Sequence, residues 1–348
     1  MKSIYGFTLK DLENEVLNLG FKKYNGEQVL RWLYQNRVYS FDEMTNLKLE
    51  VREKLKENYS ISLPTIIKKQ VSNDGTIKFL LQLEDGNKIE TVLMRYSYGN
   101  AVCVSSQVGC NMGCSFCASG LLKKVRDLTA DEIVKEVMVV QQELDKTNER
   151  VSHVVIMGIG EPFDNYNNVM KFIYIINEAK GLAIGARHIS VSTSGLVPMI
   201  YKLTEEKLQI NLAVSLHAPN DEIRNKIMKV NHAYNMETLR EALIYYCNKT
   251  NRRLTFEYIL LKDINDTPEC AKELAKYLKE TCSYVNLIPY NAVDESGYQR
   301  SEEKNINIFY NLLKKYGINA TIRREFGKDI EAACGQLRAK SEVKRNGN

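Results

Sequence analysis

The chain has 348 residues, 44% of them hydrophobic and 26% charged, with a net charge of +5. This composition is typical of a globular protein and excludes a disordered or low-complexity chain. It contains no apolar leader and no apolar run long enough to span a membrane, so we expect a cytoplasmic protein. The slight basic excess permits an RNA partner but does not establish one.

Residues 1–65 are predicted to form a small helical domain. Thr8 caps an apolar stripe at helical spacing, and residues 27–39 and 47–59 repeat that pattern. The slight excess of Lys and Arg in this segment fits either an RNA-contacting accessory domain or a solvated module. Residues 66–97 alternate apolar and polar side chains around the turn Glu84-Asp-Gly-Asn, which predicts a β-hairpin linker. This linker carries Glu90.

Residues 98–340 repeat a strand–loop–helix pattern, which predicts a parallel α/β barrel or a doubly wound sheet. The last residues, 341–348, are polar and expected to fray. The predicted strands are 101–105, 153–157, 188–192, 212–216, 255–261, 284–288 and 320–323. The predicted helices are 129–144, 168–179, 236–249, 268–279 and 302–316.

Polar loops follow these strands at their carboxyl ends, the edge where parallel α/β barrels assemble active sites. We therefore expect their side chains to converge on one rim. The residues concerned are Cys110, Cys114 and Cys117 after the first strand, Gly160 and Glu161 after the second, Ser192 at the end of the third, Ser215, Leu216 and His217 at the fourth, and Asn291 after the sixth.

The three cysteines of the first loop have the spacing C-x3-C-x2-C, and no fourth cysteine follows nearby. Three thiolates can bind three irons of a cubane [4Fe–4S] cluster, which leaves the fourth iron open to an exogenous molecule. A structural zinc site would normally have four protein ligands, and a disulfide staple would suit a small secreted domain. The spacing therefore favours a cluster that does chemistry on a bound molecule, over zinc or a chance grouping of cysteines.

Together the motifs resemble the radical S-adenosylmethionine (SAM) superfamily and, more narrowly, the RlmN/Cfr family of RNA adenine methyltransferases. The resemblance covers almost the whole chain. It includes the cysteine loop, the Gly158-Ile-Gly-Glu-Pro turn, the Ser215-Leu-His-Ala-Pro-Asn-Asp segment and a final motif, residues 329–337, that contains Cys334. It implies a partial (βα)6 radical SAM barrel, one [4Fe–4S] cluster per chain and two SAM molecules per turnover.

The resemblance also implies a role for each site residue. Cys110, Cys114 and Cys117 would bind the cluster, and SAM would be bound by Gly160, Glu161, Ser192, Ser215, Leu216, His217 and Asn291. Cys334 would take a methyl group from one SAM, and a 5′-deoxyadenosyl radical from a second SAM would activate that methyl group for addition to adenine. Glu90 would accept a proton, and Cys103 would release the product and form a transient disulfide with Cys334.

Several alternatives stay open from the sequence. RlmN-type enzymes methylate C2 of an adenosine in 23S rRNA and of an anticodon-adjacent adenosine in tRNA, whereas Cfr-type enzymes methylate C8 and confer antibiotic resistance. The segment after Ser215 is closer to RlmN, and Phe326-Gly is similar to Cfr. A glycyl-radical activase would leave Cys103 and Cys334 unexplained. A non-catalytic iron–sulfur RNA-binding module would leave the Gly-Glu-Pro turn unexplained. Taken alone, Cys103 fits a small core residue.

We expect a monomer that receives electrons from a donor such as flavodoxin.

Overall fold

The structure is a computed structural model that describes residues 1–293 and 295–339, so the predicted frayed tail at 341–348 lies outside it. The strands of this part are β1 (Lys2–Ser3), β2 (Tyr59–Ser60), β3 (Thr65–Val71), β4 (Ile77–Gln82), β5 (Lys88–Tyr96), β6 (Gly99–Val104), β7 (Gln107–Val108), β8 (Arg126–Asp127), β9 (Val151–Ile156), β10 (Ile189–Thr193), β11 (Asn211–Ser215), β12 (Leu254–Leu260), β13 (Ser283–Pro289) and β14 (Ala320–Ile322). Its α-helices are α1 (Leu9–Asn18), α2 (Tyr24–Arg31), α3 (Leu49–Asn58), α4 (Ala130–Asp145), α5 (Tyr166–Asn177), α6 (Val197–Leu203), α7 (Asp221–Ile227), α8 (Met236–Thr250), α9 (Pro268–Tyr277) and α10 (Glu303–Lys315).

The centre of the described part is an open ten-stranded sheet in the order β14-β13-β12-β11-β10-β9-β6-β5-β4-β3. Strand β6 and strands β9 to β14 run parallel, and a helical crossover joins each to the next. Strand β12 is buried along almost its whole length, as expected for a parallel strand covered on both faces. The six strand–helix units confirm the predicted α/β partial barrel, and no helix in residues 1–293 or 295–339 is both long and apolar enough to cross a membrane.

The segment that we expected as a linker, residues 66–97, is built into this sheet. Strand β5 pairs antiparallel with β6, with Val92 opposite Cys103, and β3 and β4 extend the sheet beyond it. Strands β4 and β5 are buried along most of their length, so an isolated hairpin would expose their apolar side chains. The alternating pattern identifies strands but does not identify their partners, which is why the sequence suggested a separate linker.

The N-terminal helices pack against the outside of the sheet through α4. The predicted Thr8 cap is present and forms a capping box with Asp11, whose N–H donates to Thr8 Oγ1 at 3.2 Å. The second predicted helix begins at Tyr24 and ends in a π-helical turn, Trp32–Asn36. Arg37 then adopts a left-handed conformation and pairs with Asp145 of α4 at 2.9 Å. The N-terminal region therefore shares one continuous hydrophobic core with the sheet.

The C-terminal segment after β14 folds back over the antiparallel strands. Phe326 and Leu337 join Val92 and Met94 of β5 in a buried apolar cluster that also contains Cys103. Gly335 O accepts a hydrogen bond from Ala118 N, and Leu337 O accepts one from Ser119 Oγ. The strands at 65–96 thus form the platform on which the segment carrying Cys334 lies.

Candidate active site at the carboxyl rim of the sheet

A cavity of about 150 Å³ opens at the carboxyl ends of the parallel strands. This end of a parallel α/β sheet is where ligand sites are usually built. The predicted site residues that line it are Cys110, Cys114, Cys117, Gly160, Glu161, Ser192, Ser215, His217 and Cys334. The loops therefore converge on one rim, as their positions after successive strands predict.

The cysteine loop is held by close backbone contacts with the segment that follows it. Cys110 N donates to Leu122 O at 3.2 Å, and Gly120 N donates to Cys117 O at 3.0 Å. Gly109 has φ of +75°, and a Cβ there would lie 2.1 Å from Lys123 O, so only glycine fits. These contacts turn all three thiols toward the cavity.

The chemistry of the three thiols fits an iron–sulfur cluster. Burial raises the pKa of Cys110 to about 12 and also raises the pKa of Cys114 and of Cys117, so thiolates here need positive charge beside them. In a cubane each thiolate binds a different iron, and the three thiols that line this one cavity supply three such ligands.

Glu161 is a buried carboxylate fixed by the main chain. Its Oε2 accepts from Ser194 N at 2.7 Å and its Oε1 accepts from Phe163 N at 3.0 Å, while Gln107 Oε1 accepts from Glu161 N at 2.9 Å. Burial raises the pKa of Glu161 above that of an ordinary carboxyl group, and the hydrogen bonds from Ser194 N and Phe163 N offset part of this rise. The adjacent Gly160 has φ of +110°, and a Cβ there would lie 2.6 Å from Gln107 Cβ. The result is a rigid acceptor at the cavity wall, suited to an ammonium group.

His217 is neutral and held in one tautomer. Its Nδ1 accepts from Ile259 N at 3.0 Å, which leaves the proton on Nε2, and burial lowers its pKa to about 3. The left-handed backbone at φ of 58° turns the ring against Phe116, with 4.9 Å between ring centroids. His217 therefore offers one fixed N–H donor at the rim.

Arg224, which no sequence pattern indicates as a site residue, links two loops of the rim. It is fully buried, and its guanidinium donates to Ser194 O at 2.6 Å, Leu216 O at 3.1 Å and Asn231 Oδ1 at 2.8 Å. Leu216 does not line the cavity; it contributes its main chain to this network and its side chain to the core. A lone arginine on a charged helix gives no sequence signal for such a role.

A second, smaller cavity of about 30 Å³ adjoins the first and brings the two remaining thiols of the site together. Cys103, Asn291 and Cys334 line it, and Cys334 borders both cavities. Asn291 Oδ1 is buried without a hydrogen-bond partner in the described part of the chain, so it is available to a ligand. Cys103 belongs to a buried apolar cluster, as expected of a small core residue, and it also faces this cavity, as expected of a catalytic thiol.

Arg323 lies between these thiols and a buried carboxylate. Its guanidinium pairs with Glu257 Oε2 at 3.3 Å, and the negative charge of Cys334 is the main cause that raises the Arg323 pKa. Burial raises the pKa of Cys103, while Arg323 acts in the opposite direction. A guanidinium here favours the thiolate form of a nearby cysteine. No sequence pattern indicates a role for Glu257, whereas the Arg323-Arg324 pair suggested contact with RNA phosphates; the structure instead pairs the Arg323 guanidinium, at the wall of both cavities, with Glu257.

Glu90 lines neither cavity and instead anchors the C-terminal segment. Its Oε2 accepts from Arg338 N at 2.8 Å and from Ala339 N at 3.1 Å, and its Oε1 pairs with Lys78 at 3.4 Å. Lys78 also donates to Glu331 O at 3.0 Å. Both side chains are buried, so the pair clamps the segment on either side of Cys334.

Glu90→Gln is expected to loosen this clamp. The amide keeps one acceptor oxygen but loses the charge that strengthens two hydrogen bonds to backbone N–H groups and pairs with Lys78. Hydrogen exchange of the peptide covering residues 335–339 should accelerate by about tenfold, on the basis of roughly 1.5 kcal/mol for a charge-assisted hydrogen bond. Glu84→Gln, an exposed change, is the control. Equal protection in the Glu90 variant and the wild type would contradict the clamp.

Comparisons with known proteins agree with this geometry. Residues 104–282 match the radical SAM superfamily model, and residues 2–61 match the ribosomal RNA large subunit methyltransferase N-terminal domain. A Spiroplasma citri protein named probable dual-specificity RNA methyltransferase RlmN is 57% identical over 98% of this chain and 99% of its own length. A Shouchella clausii protein of the same name is 56% identical over 99% of this chain and 98% of its own length.

A solved structure extends the comparison to three dimensions. The crystal structure of a radical SAM methyltransferase from Sphaerobacter thermophilus matches with a TM-score of 0.94 and 41% identity, covering 98% of this chain and 100% of that one. Such similarity over the full length includes the N-terminal domain, the sheet and the Cys334 segment. The chain therefore belongs to the RlmN family of radical SAM RNA methyltransferases.

Proposed function

We propose that this enzyme methylates C2 of an adenosine in the peptidyl transferase centre of 23S rRNA and of an anticodon-adjacent adenosine in tRNA. We further propose that the methyl group passes through Cys334. The observation that carries the proposal is the position of Cys334, which borders both the cavity with the three cluster cysteines and the cavity with Cys103. The relatives named as dual-specificity RNA methyltransferases support the choice of two RNA substrates.

The three cluster cysteines would hold one [4Fe–4S] cluster, which supplies the one-electron reduction that cleaves SAM. Glu161 accepts hydrogen bonds from the ammonium group of SAM, and Ser192, Ser215, His217 and Asn291 bind the rest of the molecule. The Cys334 sulfur, which lines both cavities beside Arg323, would attack the methyl carbon of a first SAM and displace S-adenosylhomocysteine, and a second SAM would serve as the radical source.

Glu90 and Cys103 complete the reaction in this proposal. Glu90 accepts the proton from the adenine ring once residues 338 and 339 release its carboxylate. After the radical adduct has given up one electron to the oxidised cluster, Cys103 would attack the Cys334 sulfur of the thioether. The S–S bond forms, the C–S bond breaks, and the methylene carbon keeps the electron pair and takes up a proton to become the methyl group, which leaves a Cys103–Cys334 disulfide. All eight cysteines are free thiols in the structure, and the proposed disulfide would form only during turnover. We propose a monomer that works in the cytoplasm and receives electrons from a donor such as flavodoxin.

The C8 alternative depended on Phe326-Gly, and the structure gives these residues a packing role. The Phe326 ring lies 4.6 Å from that of Tyr96, centroid to centroid. Gly327 has φ of +59°, and a Cβ there would lie 2.6 Å from Ala332 Cβ. The pair therefore anchors the C-terminal segment, and the choice of C2 rests on the similarity to the relatives named RlmN.

Mass spectrometry of the modified nucleosides tests the proposed regiochemistry. The reconstituted enzyme should convert unmodified 23S rRNA and tRNA to products that contain 2-methyladenosine. RNA treated with enzyme from which the cluster has been removed is the control and should contain none. A product that contains 8-methyladenosine would assign the chain to the other reaction.

A further inference from the structure

An exposed apolar strip follows the cysteine loop. Leu121 is 48% exposed, Leu122 39% and Val125 65%, so three large aliphatic side chains reach solvent within five positions. Single exposed apolar residues are ordinary, but several together mark an interaction surface. We call residues 121–125 the cluster-side strip.

The cluster-side strip lies against the main chain of the three cysteines. The carbonyl of Leu122 accepts the hydrogen bond from Cys110 N, and the carbonyl of Lys123 is in contact with Gly109. Just before the strip, Gly120 packs so closely on Cys114 that a Cβ would lie 2.5 Å from its carbonyl oxygen. The strip is therefore the outer surface of the loop that would hold the cluster.

Two lysines give this surface a positive charge. Lys123 within the strip is exposed, and Lys229 lies across the cysteine loop, where a Cβ on Gly113 would be 3.0 Å from its Cδ. Neither forms an ion pair with any described residue, whereas neighbouring Lys124 is paired with Asp127 at 2.7 Å and Asp164 at 2.8 Å. Uncompensated lysines beside an apolar patch suit an acidic protein partner.

We propose that the cluster-side strip, with Lys123 and Lys229, docks an acidic one-electron carrier protein that reduces the cluster. The inference rests on the proposed function, which needs an external electron for each cleavage of SAM. One electron leaves the carrier, which is oxidised by one electron, and enters the cluster, which is reduced by one; no bond forms or breaks. Electron transfer weakens steeply with distance, so the carrier must approach the surface nearest the cysteines.

The composition of the strip favours a protein over RNA. RNA binding draws mainly on phosphate contacts and aromatic stacking, and exposed Leu and Val provide neither. Transient redox complexes bury less than about 1,200 Å². A short apolar centre with charged residues at its edge is sufficient for such an interface.

A triple variant, Leu121→Ser with Lys123→Glu and Val125→Ser, tests the inference in the full-length, reconstituted enzyme. The rate of 5′-deoxyadenosine release from SAM is measured with reduced flavodoxin and, separately, with sodium dithionite. We expect the flavodoxin-driven rate to fall at least about tenfold, because steering charges raise association rates by 10-fold or more. The dithionite-driven rate should stay at the wild-type value. The matched control, Ile308→Ser with Lys304→Glu on α10, should leave both rates unchanged.

Other outcomes would overturn the docking surface. An equal loss with both reductants would mean that the strip only supports the cluster, and an unchanged flavodoxin rate would mean that the carrier docks elsewhere. A loss of RNA affinity in filter binding would reassign the strip to RNA, and a changed oligomeric state would reassign it to a second copy of the chain. Wild-type enzyme that does not methylate RNA with dithionite would instead contradict the proposed function.

Discussion

Replacing Cys334 with Ala is expected to abolish RNA methylation. Within the described residues, Cys334 is the thiol that borders both cavities, and Arg323 lines both of them beside it. Alanine removes the atom that receives the methyl group without adding bulk. Loss of a nucleophile in covalent catalysis costs at least about 10³-fold in rate, so transfer of labelled methyl from SAM to RNA should fall to background.

The absorbance of the reconstituted cluster should not change in this variant, because the three cluster cysteines lie on a different loop. Cys282→Ala is the matched control, since Cys282 is exposed and lies outside both cavities. This control should methylate RNA at the wild-type rate. Methylation by the Cys334 variant at the wild-type rate would overturn the proposed mechanism.

Replacing Cys103 with Ala is expected to trap the enzyme on its RNA. In the proposed reaction the methylene group joins Cys334 to adenine until Cys103 attacks the thioether. Cys103 faces the second cavity from β6, next to Met94 and Met157. The other described thiol that lines this cavity is Cys334, the attachment site itself, so none is left to replace Cys103. The variant should form a stable protein–RNA adduct, visible as a species of increased mass in a denaturing gel.

Cys270→Ala provides the control for this experiment, because Cys270 is also buried and free but lies on α9, outside both cavities. It should release free product and give no adduct. Free methylated RNA from the Cys103 variant, with no adduct at any time, would exclude the assigned role. An adduct that survives in a double variant also lacking Cys334 would point to another attachment residue.

The sequence predicts the fold of the parallel region well, because the patterns that indicate its strands and helices are local in the chain. Apolar strands, amphipathic helices and caps alternate regularly after residue 98, and the position of each polar loop follows from the strand before it. The antiparallel region is harder to predict. Strand β3 is exposed along almost its entire length, so it lacks an alternating burial signal, and it joins the barrel only through β4 and β5, of which β5 pairs with β6.

The site is only partly predictable, because several of its contacts join distant parts of the chain. The roles assigned to the cysteines came from spacing and resemblance, and the structure brings those residues around two adjoining cavities. The clamp between Glu90 and Arg338 joins positions 248 residues apart, and no local pattern indicates it. Arg224 is similarly inconspicuous, since its charged helix looks solvent-exposed until the packing of α7 buries it.

A pulse–chase experiment tests most directly whether Cys334 carries the methyl group. The enzyme is first loaded with labelled methyl from SAM, then given unlabelled SAM, RNA and reductant for one turnover. The label should begin on the peptide that contains Cys334 and end on adenine of the RNA product. Unlabelled methyl on the RNA, with the label still on the protein, would contradict transfer through Cys334.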